Sequence, residues 1–178
     1  DTQRDVFEAY EEKYNLMLHG EAGTGKTFVA LYLAFRSLEA REHQRVIIIR
    51  SAVTGRDLGY MKGSLEEKSA VYEQPYKEIC TSLFGRGDAY EILKRKNAVE
   101  FTTTSYLRGI TFDNAVVFVD EVQNMSESEL HTIITRIGEN TRIIYAGDTR
   151  QDDLTSERKK EYSGLRDFLR IIDIMEEF

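Results

Sequence analysis

Short runs of β-branched and other apolar residues recur along the chain and stop at glycine or polar turns: Asn15 to His19, Arg45 to Arg50, Val99 to Thr103, Ala115 to Val119 and Thr141 to Ala146. Runs of this length with such boundaries predict strands. Between them, apolar residues return at helical spacing over Asp5 to Lys13, Thr27 to Arg41 and Ser126 to Ile137. The third pattern opens with a Ser126/Glu129 capping box, and Gly138 offers it a stop. A last helix is predicted from Ser163, with Leu165, Phe168, Leu169, Ile172 and Met175 on one face. Strands that are apolar on both faces and alternate with helices predict an α/β fold of three layers around a mainly parallel sheet.

One stretch breaks this rhythm. Residues 54–98 are polar and rich in Gly and Tyr, and read as helices at Ser64 to Phe84 and Asp88 to Lys96. They predict a small helical insertion after the second strand. An insertion there sits at the carboxyl edge of the sheet, where ligands bind in open α/β folds. Its Lys94-Arg95-Lys96 run either caps a helix end, as suits the dipole, or touches phosphates.

Composition narrows the class. The 178 residues suit one domain, taken as residues 1–178, and 41% apolar against 31% charged residues excludes a mainly disordered chain. No apolar run approaches the roughly 18 residues of a membrane span, the longest being Phe28 to Phe35. A single cysteine, Cys80, forms no internal disulfide and is expected as a buried apolar residue. Together these predict a soluble cytoplasmic protein. The first residue is Asp1 rather than Met, so the chain is expected to be part of a longer protein. The net charge of -7 means that any nucleic-acid binding must be local rather than driven by the overall field.

The strongest chemical signal is Gly20-Glu21-Ala22-Gly23-Thr24-Gly25-Lys26-Thr27, with Phe28 beside it. It fits G-x-x-x-x-G-K-[ST] and has the required strand before it and helix after it. The glycines let backbone N–H groups turn inward around phosphates, and the helix N-terminus adds its positive end. Lys26 is expected to reach the β- and γ-phosphates of ATP, and Thr27 to give its hydroxyl to Mg²⁺.

A phosphate loop alone leaves kinase, switch and motor open. Val116-Val117-Phe118-Val119-Asp120-Glu121 is a buried strand ending in two carboxylates. Asp120 is expected to hold Mg²⁺ through a water, and Glu121 to act as general base on the attacking water. A general base beside the γ-phosphate argues for hydrolysis against a kinase. A third strand runs into Gly147-Asp148-Thr149-Arg150-Gln151. In the helicase-like branch of such ATPases, a G-D-x-x-Q loop puts its Gln on the γ-phosphate. Gln151 fits that role, and Asp148 organises either the loop or the water.

On these residues the chain resembles the PhoH-like ATPases, which look like a single RecA-type core of the superfamily 1 helicases. The resemblance runs through Gly20 to Thr27, Arg50-Ser51-Ala52-Val53, Leu58-Gly59-Tyr60-Met61-Lys62-Gly63, Leu65-Glu66-Glu67-Lys68 and Tyr106-Leu107-Arg108-Gly109. It continues through Asp120-Glu121-Val122-Gln123-Asn124, Thr135-Arg136-Ile137-Gly138, Gly147-Asp148 with Gln151, and Ser163-Gly164-Leu165. It departs at Ser51, where members commonly have Pro, and at Arg150, where a smaller residue is usual. The resemblance implies that Gln3 reads the adenine edge, and that members continue past Phe178 into a strand with an Asp-x-Val-Arg block.

The resemblance also implies partners. Single-stranded RNA is expected on the edge that holds Arg50, Ser51, Tyr106 and Arg108, with Tyr106 stacking a base and Arg108 meeting a phosphate. The alternative is that Tyr106 packs inward and Arg108 caps the sheet edge or contacts nucleotide. With no second RecA-like domain in the chain, the arginine that completes the site is expected from a neighbouring subunit of a homo-oligomer, a hexameric ring by family resemblance. Arg136 is the visible candidate, against a plain helix-end role and against an arginine beyond Phe178. A rival reading is a nucleotide-controlled module whose 54–98 insertion docks a protein.

Overall fold

The computed structural model describes residues 2–51, 65–148 and 163–175. Their elements, in order, are α1 (Thr2–Glu11), β1 (Leu16–Gly20), α2 (Lys26–Glu39), β2 (Arg45–Arg50), α3 (Leu65–Phe84), α4 (Ala89–Arg95), β3 (Val99–Thr103), β4 (Ala115–Val119), α5 (Glu127–Ile134), β5 (Arg142–Asp148) and α6 (Ser163–Ile172). The five strands form one sheet in the order β1-β5-β4-β2-β3. Every neighbouring pair is parallel. The α/β class and three-layer arrangement expected from the sequence are therefore present.

Period-two alternation sorts the strand side chains into the two cores. Val46, Ile48, Val116, Phe118, Ile144 and Ala146 face one helical layer, with Ala30, Leu31 and Leu33 of α2 among their neighbours. Ile47, Ile49, Val117, Val119, Ile143 and Tyr145 face the other, where Leu130 and Ile133 of α5 and Phe168 and Ile172 of α6 pack. Strands buried on both faces need apolar residues at every position, which explains the near-continuous runs in the sequence.

Helices α3 and α4, between β2 and β3, carry the described part of the predicted insertion. They do not build a core of their own: Tyr76, Cys80, Ala89 and Tyr90 join the same cluster as α2 and the sheet. Lys94 of the basic run bonds Glu73 of α3 at 2.6 Å, so its charge is used within the pair of helices. Cys80 is buried as expected, and burial pushes its thiol up to about 12.

Two boundaries differ from expectation for clear reasons. β5 continues through Gly147 and Asp148, because these pair with His19 and Gly20 of β1 instead of opening a loop. Helix α5 has the expected capping box but ends at Ile134, not Ile137. Ile137 pairs with Phe112 as a bridge, and a side chain on Gly138 would lie 2.0 Å from Asp113 Oδ1 and 2.8 Å from the Phe112 carbonyl. Gly138 is thus a close-approach glycine and not a helix cap.

Candidate nucleotide-binding site

The strand order places three loops side by side. β5 lies between β1 and β4. Its Gly147-Asp148 end therefore separates the phosphate loop after β1 from the Asp120-Glu121 pair after β4. The three ends enclose a cleft of about 370 Å³ that is lined by residues 22–28, Ile79, Asp120, Glu121, Gln123, Gly147 and Asp148. This is the carboxyl edge of the sheet, where the sequence placed the site.

The phosphate loop has the backbone its glycines predict. Gly23 and Gly25 have φ of 76° and 80°, and Gly25 stands as N-cap of α2 without a side-chain cap. The first N–H groups of α2 therefore remain available to an anion. Lys26 Nζ donates to the Glu21 carbonyl at 2.6 Å and to the Gly20 carbonyl at 3.4 Å, folding over the loop. These bonds hold the ammonium at the centre of the cradle, within the cleft that Thr27 and Phe28 also line. Gln3 lines an adjoining pocket of about 450 Å³ with Val6, Met17 and Val29, which shares Gly20, Thr24 and Lys26 with the loop.

Asp120 is buried, and its oxygens have separate donors. The Glu121 N–H reaches Oδ1 at 2.9 Å and the Tyr76 hydroxyl reaches Oδ2 at 2.8 Å. Burial raises the Asp120 carboxyl above its ordinary range, and the Tyr76 hydrogen bond opposes that rise. Burial first, and then the Asp120 charge, lift the Tyr76 phenol well above its usual value, so it stays a neutral donor. Glu121 takes a left-handed conformation, φ 55°, at the start of the turn after β4. Gln123 donates to its carboxylate and accepts the Asp148 N–H at 3.0 Å. A buried carboxylate beside a phosphate cradle and a second carboxylate at its mouth form a donor set suited to a hydrated divalent cation and a triphosphate.

The expected nucleic-acid residues divide. Tyr106 is 62% exposed in a short 3₁₀ turn after β3, and Arg108 beside it is exposed, while Leu107 anchors the turn in the core. The inward-packing alternative for Tyr106 is thus corrected. The two residues at the end of β2 go elsewhere. Ser51 is buried, and its hydroxyl donates to Glu129 Oε1 at 2.8 Å, the same oxygen that Thr104 reaches at 2.6 Å. Arg50 lies over the Tyr72 ring of α3 at 5.3 Å, and its positive charge acts on Asp120. Ser51 is corrected from strand contact to an internal strut, because the polar groups around Glu129 take its hydroxyl. Arg136 sits past the end of α5, half-buried, with its main chain bonded to Phe112. Gln151 lies outside the described residues.

Three residues at the cleft have no role in the sequence reading: Tyr76, Ile79 and Gln123. Gln123 stands inside the Asp120-Glu121-Val122-Gln123-Asn124 block, whereas nothing in the local pattern sets Tyr76 apart.

The match to known proteins spans the whole chain. Residues 1–178 fit the family described as PhoH-like protein. The chain belongs to the PhoH-like family. It is 34% identical over 171 residues to Protein PhoH of Escherichia coli strain K12, covering 95% of this chain and 48% of that protein. It is 32% identical over 172 residues to a PhoH-like protein of Bacillus subtilis strain 168, covering 96% and 54% respectively. The chain therefore spans about half the length of the curated relatives it matches. Among solved structures, a Sulfolobus solfataricus SWI2/SNF2 ATPase core in complex with dsDNA superposes with a TM-score of 0.52 at 15% identity, covering 93% of this chain and 37% of that one. The fold of this PhoH-like chain is thus a RecA-like P-loop ATPase fold. No helix among the described residues is long and apolar enough to cross a membrane.

Proposed function

We propose that this PhoH-like domain hydrolyses ATP with Mg²⁺, and couples hydrolysis to single-stranded RNA. The observation that carries the ATPase reading is the convergence of the phosphate loop, Asp120-Glu121 and Gly147-Asp148 on one cleft. Lys26 and the first N–H groups of α2 bind the β- and γ-phosphates. Thr27 and Asp120 would hold the metal, and Gln3 would read the adenine edge from the adjoining pocket. Bound Mg²⁺ supplies charge neutralisation across the phosphate oxygens.

Glu121 takes the proton from the attacking water, the water oxygen bonds to the γ-phosphorus, and the bond to the ADP oxygen breaks. Gln123 holds the Glu121 carboxylate for this task through the hydrogen bond it donates. Asp148, tied to Gln123, fixes the third wall, and Gln151 senses the γ-phosphate from the following segment. The general base is worth at least about 100-fold in turnover. Glu121→Gln is accordingly expected to keep metal-dependent ATP binding and to lose that factor, and near wild-type turnover would give the base role to another residue.

The exposed Tyr106 and Arg108 support RNA as partner, a ring to stack on and a cation for a phosphate. Their position after β3 puts them on the same edge of the sheet as the cleft. Faster hydrolysis with single-stranded RNA, steep loss of binding with salt, and weaker binding in Arg108→Ala at unchanged ATP affinity are the expected results. No binding to any single strand at low salt, with or without an ATP analogue, would favour the protein-docking module instead. By its resemblance to the PhoH-like family, we place the protein in the cytoplasm and in a homo-oligomeric ring of six.

A further inference from the structure

The phenol of Tyr76 joins α3 to the carboxylate pair. Phe118 and Asp120 stand two residues apart at the end of β4, on the face that α3 covers. Tyr76 packs against Phe118 with ring centroids 6.4 Å apart, edge to face, and against Phe101 at 5.9 Å. The ring is fully buried, so it has a fixed position, and no bulk water stands ready to replace its hydroxyl. That hydroxyl meets Asp120 Oδ2 at 2.8 Å while the Glu121 N–H holds Oδ1 at 2.9 Å. One donor on each oxygen fixes the plane of the carboxylate. Each oxygen keeps acceptor capacity for the water of a hydrated cation.

The same helix touches the site at two further points. Ile79, one turn after Tyr76, lines the wall of the cleft, and Tyr72, one turn before it, lies beneath Arg50. A displacement of α3 therefore has to move or break the Tyr76 bond.

We infer that Tyr76 is a positioning residue for the metal-holding carboxylate, and that through its bond to Asp120 the helix α3 sets how tightly the site takes its cation. This rests on the reading of Asp120 as the residue that holds Mg²⁺. The partners of metal ligands typically change metal affinity 10- to 100-fold when lost. Tyr76→Phe removes only the hydroxyl and keeps the aromatic packing.

The test uses the full chain, a fluorescent non-hydrolysable ATP analogue, and Mn²⁺ in place of Mg²⁺ so that metal occupancy is read by electron paramagnetic resonance. In Tyr76→Phe, affinity for the analogue without metal is expected to stay within about twofold, while Mn²⁺ affinity of the nucleotide complex falls about tenfold. In an Asp120→Asn background, the same substitution is expected to add nothing. Unchanged Mn²⁺ affinity would overturn the inference, as would an equal loss with and without metal or an undiminished loss in the Asp120→Asn background. A Tyr76→Phe protein without a cooperative melt would overturn it too, because the bond would then serve folding. Wild-type protein that binds the analogue no more tightly with Mn²⁺ than without would overturn the reading of Asp120 itself.

Discussion

The side-chain oxygen of Gln123 accepts the main-chain N–H of Asp148 at 3.0 Å, tying the last residue of β5 to the turn that follows β4. Its nitrogen donates to the Glu121 carboxylate, so one amide spans two of the three loops of the cleft. Glu121 itself takes a left-handed conformation, with φ of 55°. Gln123→Ala is expected to lower ATP turnover about tenfold, the scale seen when partners of reacting groups are lost. Nucleotide affinity without metal should be unchanged, since the phosphate loop is untouched. Wild-type turnover in steady-state assays would show that Glu121 is oriented by other means.

Gly147 tests the same junction by size. A Cβ there would lie 2.4 Å from Val122 Cγ2 and 3.0 Å from Gln123 Oε1, both on the turn after β4. Val122 is itself fully buried and has no room to yield. Gly147→Ala is expected to destabilise the fold by about 1–3 kcal/mol, the range for overpacking a filled core. The denaturant midpoint measures it, and an unshifted midpoint would mean that the turn relaxes freely.

The central strands were legible because they are buried on both faces, so β2 and β4 carry uninterrupted apolar runs with sharp ends. The phosphate loop was legible because its glycines answer a local backbone demand. What sequence left open depends on contacts between distant segments. Tyr76 reaches Asp120 across 44 positions, and Ser51 reaches Glu129 across 78. No periodicity reports such pairs. Gly138 misled for a related reason, since a glycine needed for close approach to Phe112 and Asp113 reads in sequence as a helix stop.

Stability should depend on pH through His43. This imidazole is 6% exposed, and its Nδ1 has no hydrogen-bond partner. Burial first, and then the positive charge of Arg142, hold its pKa below the ordinary 6.5. The unfolded chain therefore binds a proton that the folded chain refuses, and folding stability falls as pH drops below about 6.5. Above that pH His43 is neutral in both states and contributes no slope. The nearby Glu42, held low by Lys13, titrates further down. His43→Gln is expected to lessen the fall of the melting temperature as pH drops below about 6.5. An unaltered slope in that variant would assign the dependence to other groups.

Arg136 lies at the edge of the sheet opposite the cleft. Its carbonyl accepts the Phe112 N–H at 2.8 Å, just before β4 begins, whereas the phosphate loop follows the carboxyl end of β1. Strands of this length separate the two edges by about 17–20 Å, so Arg136 cannot meet a γ-phosphate held in its own cleft. A head-to-tail neighbour would present that edge to the cleft of the next subunit, and such an arrangement gives a ring where the rotation closes and a filament where it does not. An arginine supplied this way is worth about 10³ to 10⁵ in rate. Arg136→Ala and Lys26→Ala are each expected to be nearly inactive alone, for different reasons: one lacks the supplied arginine, the other the phosphate ligand. Mixed, they place an intact Arg136 beside an intact phosphate loop at some interfaces, and ATPase activity should rise above the sum of the two. Specific activity should also fall on dilution, as subunits part. Merely additive activity in the mixture, with a monomer by light scattering in the presence of ATP, would remove Arg136 from the site and the ring with it.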